Sequence, residues 1–361
     1  LNYIYSGGRF TIYEDDAAQS FSELPVGIYK VNFAPMEGWW LSSEQQISVD
    51  EKIYGDHNRK VQKVVSTFDK FPRNLGVLLS GGKGMGKSLV CKKICIEMME
   101  KGYPVIIVNK YIPGISDFLH KIDTESVIFM DEFDKMFQHD NEFESEGPSP
   151  QDEMLSLFDG IDVNKKLFLV TCNDINKLST YFINRPGRFH YHFRFSYPKD
   201  EEIEQYLKEN VNKKYHKEII NVIAFSHKVR MNYDCLRSVA FELNLGYKFY
   251  DFIDDLNILH LKNERFAITL VDNEDNEFKG IFELDPLSEN IQAINLYNGR
   301  NDYAIQFKFD DLDYDSETQA YIATDLNKIK VNDRMSEKEN NVKIKSFSVK
   351  NEDTNTFSYF G

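Results

Sequence analysis

Five short apolar runs recur through the middle of the chain, at residues 75–79, 105–108, 127–130, 167–170 and 190–195, with helix-patterned stretches between them. Strands linked through helices imply a mostly parallel sheet covered on both faces, an α/β fold. A helix leads into the first strand, because Val61, Val64, Val65 and Phe68 recur at helical spacing until Phe71-Pro72 ends the run. Residues 199 to about 252 read as helix only, with Ile203, Tyr206 and Leu207, then Leu236, Val239, Ala240 and Leu243, as apolar stripes. They predict a helical lid.

The flanks have a different texture. Residues 1 to about 50 read as short strands separated by Gly and Pro, and beyond Asp255 short alternating strands lie between Asn-Asp-Glu turns. With 361 residues, 42% of them apolar, two or three compact units are expected. Acidic residues outnumber basic ones 58 to 43, and the segment after residue 255 carries more than half of the net charge of −15. This balance weighs against a surface built to neutralise nucleic-acid phosphates and leaves only a local basic patch as the alternative. No apolar stretch approaches the ~18 residues of a membrane span, and Leu1-Asn2-Tyr3 opens without a signal-peptide pattern. Four cysteines, Cys91, Cys95, Cys172 and Cys235, make no disulfide framework. A cytoplasmic protein is the expectation. Cys91 and Cys95 stand four apart on a helix with no second pair to complete a metal site, so packed thiols are expected.

Between the first strand and the helix after it lies Gly81-Gly82-Lys83-Gly84-Met85-Gly86-Lys87-Ser88, which fits the eight-position pattern of a phosphate-binding loop. Glycines let the backbone curl so that successive N–H groups meet phosphate oxygens, with a helix N-terminus behind them. Lys87 is expected to neutralise the β and γ phosphates and Ser88 to hold Mg²⁺, with Leu89 closing the binding segment. About forty residues later the run Val127-Ile128-Phe129-Met130 ends in Asp131-Glu132. Strand-end carboxylates at this spacing predict Asp131 as the second magnesium-holding group and Glu132 as the residue that orients and polarises the attacking water. After the strand at 167–170, Asn173 is either a polar sensor reaching the γ-phosphate or a cap for the turn that follows.

These residues, together with Asn184-Arg185-Pro186-Gly187-Arg188-Phe189, resemble the AAA+ ATPases and more narrowly the AAA clade, over about residues 56–255. The clade's box ends in Asp where this chain has His190, and its loop commonly reads Pro-Pro-Gly-Thr where this chain has Gly82-Lys83-Gly84-Met85. The resemblance implies a P-loop core with a five-stranded parallel sheet and a helical lid, binding ATP and Mg²⁺. It implies a homo-oligomeric ring, usually a hexamer, in which Arg185 and Arg188 are arginine fingers reaching the ATP of the neighbouring subunit. The other reading of both arginines is a local salt bridge. Arg237 in the lid stands where some members carry a second sensor and many do not.

The domains expected are a β-rich segment and linker at 1–55, the nucleotide-binding α/β subdomain at 56–198, the lid at 199–255 and an acidic β-rich domain at 256–361. Lys110, Tyr111 and Ile112 occur where ring-forming relatives carry a loop facing the central channel. Tyr111 either grips an extended polypeptide there or packs as ordinary core. The acidic run at 138–151, with Asp140, Glu142, Glu144 and Glu146, would repel a phosphate backbone if it lined the same channel, or is simply a solvated loop. The function expected is a ring-forming ATPase that remodels, unfolds or disassembles a protein substrate. The alternatives are a nucleic-acid motor or loader, and a ring that ATP orders as a scaffold without threading.

Overall fold

The structure is a computed structural model that describes residues 2–6, 9–14, 19–45, 47–49, 52–136, 150–159, 165–179, 181–182, 187–258, 264–335 and 342–352. The chain forms two compact units, Leu1–Phe195 and Ser196–Gly361.

In the first unit a hairpin of β1 (Asn2–Ser6) and β2 (Arg9–Tyr13) stands as its own two-stranded sheet. There follow β3 (Ile28–Ala34), β4 (Gly38–Ser43), α1 (His57–Lys70), β5 (Leu75–Ser80), α2 (Lys87–Glu100), β6 (Val105–Val108) and α3 (Ile115–His120). β7 (Ser126–Met130), α4 (Pro150–Asp159), β8 (Lys166–Cys172) and β9 (Tyr191–Arg194) complete the unit. The five expected strands are contiguous and mutually parallel in the order β6-β7-β8-β5-β9. Their burial explains the unbroken apolar runs, since β5, β7 and β8 are buried at every position.

The sheet itself corrects the expectation of five strands, because it has seven. β3 pairs in parallel with β6, Ile28 opposite Val105 through Lys30 opposite Ile107, and β4 adds antiparallel beyond it. Five strands alone would leave β6 as an edge with unpaired backbone groups. Trp39 of β4 anchors the addition, stacking on Phe118 of α3 at 5.3 Å and lying 4.8 Å from the Phe33 ring. Trp40, its neighbour, is 38% exposed.

Alternating residues of the strands supply two faces. Leu78, Ile106, Ile128, Phe168 and Val170 pack with Ile115 and Leu119 of α3 and Met154, Leu157 and Phe158 of α4. On α1 the buried positions are Val61, Val64, Val65 and Phe68, and the helix stops where Phe71 turns extended before Pro72. Gly76 in β5 has a steric role, since a Cβ there would lie 1.9 Å from the Arg188 carbonyl oxygen.

The second unit contains α5 (Asp200–Asn210), α6 (Ile219–Ser226), α7 (Tyr233–Leu245) and the short α8 (Phe249–Phe252). It continues with β10 (Glu264–Asp272), β11 (Glu277–Leu284), β12 (Gln292–Tyr297), β13 (Asp302–Phe307), β14 (Asp313–Asp315), β15 (Ala320–Ile322), β16 (Lys330–Asp333) and β17 (Ile344–Asn351). The strands form two antiparallel sheets, β11-β10-β17-β15-β14 and β12-β13-β16, around one core that includes Phe266, Phe278, Phe307, Phe309 and Phe347. Helices and strands of this unit share part-buried hydrogen bonds. The Tyr321 hydroxyl donates to the Ala224 carbonyl of α6 at 2.5 Å, and Arg230 reaches Asn351 Oδ1 at 2.7 Å and Glu352 O at 2.9 Å. Asp200 of α5 accepts from Tyr314 at 3.3 Å and Gln319 at 3.1 Å, and lies 2.8 Å from His227 Nε2.

Candidate active site

The phosphate loop leaves β5 at Ser80 and enters α2 at Lys87. Gly84 and Gly86 take φ of +69° and +86°, left-handed backbone that a side chain would strain. A Cβ on Gly81 would lie 2.3 Å from the Phe195 carbonyl oxygen. These constraints fix the loop's curl at the start of a 14-residue helix, the arrangement that suits an anion. Met85 is buried, Lys83 is exposed and Leu89 is half-buried on the first turn of α2.

Lys87 is 5% exposed, and its ammonium donates to Gly81 O and Gly82 O at 2.6 Å each and to Asn173 Oδ1 at 2.9 Å. Burial pulls its pKa below the usual lysine range, and Asp131 is the foremost group pulling the other way. The next residue, Ser88, donates its hydroxyl to Asp131 Oδ1 at 2.9 Å. Two adjacent hard oxygens fit magnesium, which takes one or two protein ligands and otherwise keeps water and phosphate oxygens.

Glu132 has φ 51° and ψ 46°, a left-handed conformation that costs a residue with a side chain ~1–2 kcal/mol. Its N–H donates to Thr171 Oγ1 at 2.8 Å, and that hydroxyl in turn donates to Asp131 Oδ1 at 2.5 Å. One threonine therefore sets both strand-end acids. The Glu132 carboxylate accepts from Asn173 Nδ2 at 3.1 Å and from Lys135 Nζ at 2.6 Å, and the lysine is the main reason its pKa lies below the usual carboxylate range. Asn173 is oriented from behind, because buried Asp134 accepts from its N–H at 3.0 Å and from the Asp174 N–H at 3.3 Å.

Lys87, Ser88, Asp131, Glu132 and Asn173 thus converge at the C-terminal ends of β5, β7 and β8. Thr171, Asp134 and Lys135 belong with them and sequence reasoning missed them. Thr171 carried a usable signal, since it lies two residues before Asn173 on an extended strand and so faces the same side.

Other expected residues sit elsewhere. Arg188 is 8% exposed; its guanidinium pairs with both carboxylate oxygens of Asp159, at 2.7 Å through Nε, and reaches the Tyr181 carbonyl at 2.6 Å. That bidentate pair raises its pKa further. Tyr111 packs on the core and donates to Glu153 Oε2 of α4 at 2.5 Å, while Oε1 of the same acid accepts the Gly114 N–H at 2.8 Å. Lys110 is exposed and Ile112 half-buried. Arg237 lies in the second unit, exposed on α7, 3.7 Å from Asp234. Arg185 and the acidic residues Asp140, Glu142, Glu144 and Glu146 lie outside the described residues. Cys91 and Cys95 are free and buried, burial pushing the Cys95 thiol up to about 12. Among the described residues no group of three or more His, Cys, Asp or Glu is arranged to hold a metal, and no helix is long and apolar enough to cross a membrane.

A parallel sheet whose strand-end acid and amide bond directly to the lysine and serine of a glycine loop defines a P-loop nucleoside-triphosphatase. Residues 77–197 match the family model described as the ATPase family associated with various cellular activities (AAA), and this segment is an AAA ATPase domain. The vesicular-fusion protein SEC18 of Candida albicans is 27% identical over 150 residues, an alignment covering 35% of this chain and 19% of that protein. The chain therefore spans about a fifth of the length of this curated relative.

Proposed function

We propose that the chain is a magnesium-dependent ATPase that works as a homo-oligomeric ring, a hexamer by family resemblance, and couples hydrolysis to remodelling, unfolding or disassembly of a protein substrate. The observation that carries the ATPase reading is the unbroken hydrogen-bonded path from Lys87 through Asn173 to Glu132, with Ser88, Asp131 and Thr171 beside it. Lys87 and the loop amides would hold the β and γ phosphates, and Ser88 and Asp131 the metal. When bound, magnesium neutralises charge across those phosphates. Glu132 orients a water and takes up its proton, and Asn173, tied to that carboxylate before nucleotide binds, is the polar sensor that turns to the γ-phosphate. A relative named for vesicular fusion, together with the chain's net charge of −15, supports protein over nucleic acid as the substrate.

Arg185 and Arg188 are the proposed fingers. Within one chain the Arg188 guanidinium is taken up by Asp159 and the Tyr181 carbonyl, so a role across an interface requires that pair to open as a neighbour docks. Lys110, Tyr111 and Ile112 are the proposed substrate loop. A second reading, an ATP-ordered scaffold without threading, is favoured by the tie between Tyr111 and Glu153, which makes that loop a strut.

Lys87→Ala is expected to abolish ATP binding in a fluorescent-nucleotide titration. Glu132→Gln is expected to keep ATP bound and lower turnover ~10²- to 10⁴-fold, the usual contribution of a positioned base. Full turnover in the second variant would remove Glu132 from its role. Mixing Arg188→Ala with Lys87→Ala subunits should restore part of the activity if the finger acts in trans; no rescue at any ratio counts against a shared site. Loss of substrate processing in Tyr111→Ala, with ATPase intact, separates the motor from the scaffold.

A further inference from the structure

Lys135 is not part of the hydrolytic chemistry above, yet it holds the residue on which that chemistry turns. It closes a single 3₁₀ turn, Phe133–Lys135, that begins where Glu132 adopts its left-handed backbone. The turn cannot drift. Phe133 is fully buried, Asp134 is tied to the Asn173 and Asp174 amides, and the Lys135 N–H donates to the Glu132 carbonyl at 2.8 Å. Its ammonium is thereby carried back to Glu132 Oε2 at 2.6 Å while Asn173 occupies Oε1.

We propose that Lys135 is a positioning residue that parks the Glu132 carboxylate in a resting orientation, so that breaking this ion pair is a required step of turnover and Lys135 sets the basal rate. The inference rests on the reading of Glu132 as the water-orienting group. Its logic follows from the chain Lys87–Asn173–Glu132–Lys135. Lys87 can exchange its protein acceptors for phosphate oxygens, which frees the Asn173 side chain to turn; Lys135 then remains as the hold on Glu132. The two side chains are 40% and 44% exposed, so the pair belongs to the weak, solvent-screened kind. A brake of this sort is worth about 2- to 5-fold in rate. It is adjustable rather than absolute.

The test uses the full chain. Lys135→Met should raise turnover at saturating ATP about 2- to 5-fold without changing KM, Lys135→Gln should do the same, and Lys135→Arg should restore the low rate. A second readout needs no turnover. In nucleotide-free protein with ¹⁵N-labelled lysines, the ammonium resonance lost in Lys135→Met is assigned to Lys135, and Glu132→Gln should shift it or speed its proton exchange. An unchanged or lower rate in folded Lys135→Met and Lys135→Gln overturns the proposal, as does a Lys135 resonance indifferent to Glu132→Gln. If Glu132→Gln itself turns over normally, the reading of Glu132 falls and this inference with it. An inactive Glu132→Gln beside an unmoved Lys135→Met sinks the brake alone.

Discussion

His57 and His192 flank the phosphate loop as neutral imidazoles. His192 Nε2 is bonded to the Ser80 hydroxyl at 2.7 Å, and the His57 ring lies 4.6 Å from that of Phe195 and beside Gly86. Burial first, then Lys60 for His57 and Arg194 for His192, pulls both pKa values from 6.5 to about 4. The unfolded chain therefore binds more protons between those values. Stability is undiminished above pH 6.5 and falls as pH drops towards 4, by on the order of 1–3 kcal/mol per histidine. Urea unfolding of the nucleotide-free protein at pH 7.5 and 5 should show this, with a smaller difference in His192→Gln; an equal difference would remove His192 from the account. At this scale the placement of the loop residues and strand-end acids was legible because fixed spacing sets it. Asp134 and Lys135 were not, because each acts through the turn's geometry, whereas Thr171 was signalled by its place two residues before Asn173 and overlooked. A salt bridge was one of the two readings of Arg188, but its partner was not legible, since Asp159 lies 29 residues away on α4.

Among the elements, the addition of β3 and β4 to the sheet is what local pattern could not give. Each strand was legible from its Tyr, Val, Phe and Trp content. Their pairing was not, since Ile28 meets Val105 across a long stretch of chain and no nearby signal records it. The helix α1 and the five central strands were readable because burial on one face or two imprints a period on the sequence. Trp39→Ala should cost about 2–4 kcal/mol in denaturant unfolding, because the ring is the contact between β4 and α3, whereas Trp40→Ala should cost below about 1 kcal/mol. Equal effects would show that β4 is not anchored through Trp39.

For the whole molecule, the grouping of α5–α8 with β10–β17 in one compact unit depends on polar side chains that look like ordinary surface residues in the sequence: Asp200, His227, Arg230, Gln319 and Asn351. Tyr321→Phe deletes the hydroxyl that bonds the α6 carbonyl and should cost about 1–2 kcal/mol. Far-UV dichroism should show the helical and strand signals melting together at a lowered temperature; loss of the strand signal alone would mean that helices and sheets are independent. The mechanical corollary is that a tilt of the helices reaches the strands through a few bonds, those of Asp200, Ala224 and Arg230. While those bonds hold, a rotation imposed on α5–α7 carries the strand ends with it, as an oar's blade follows the hand that moves it.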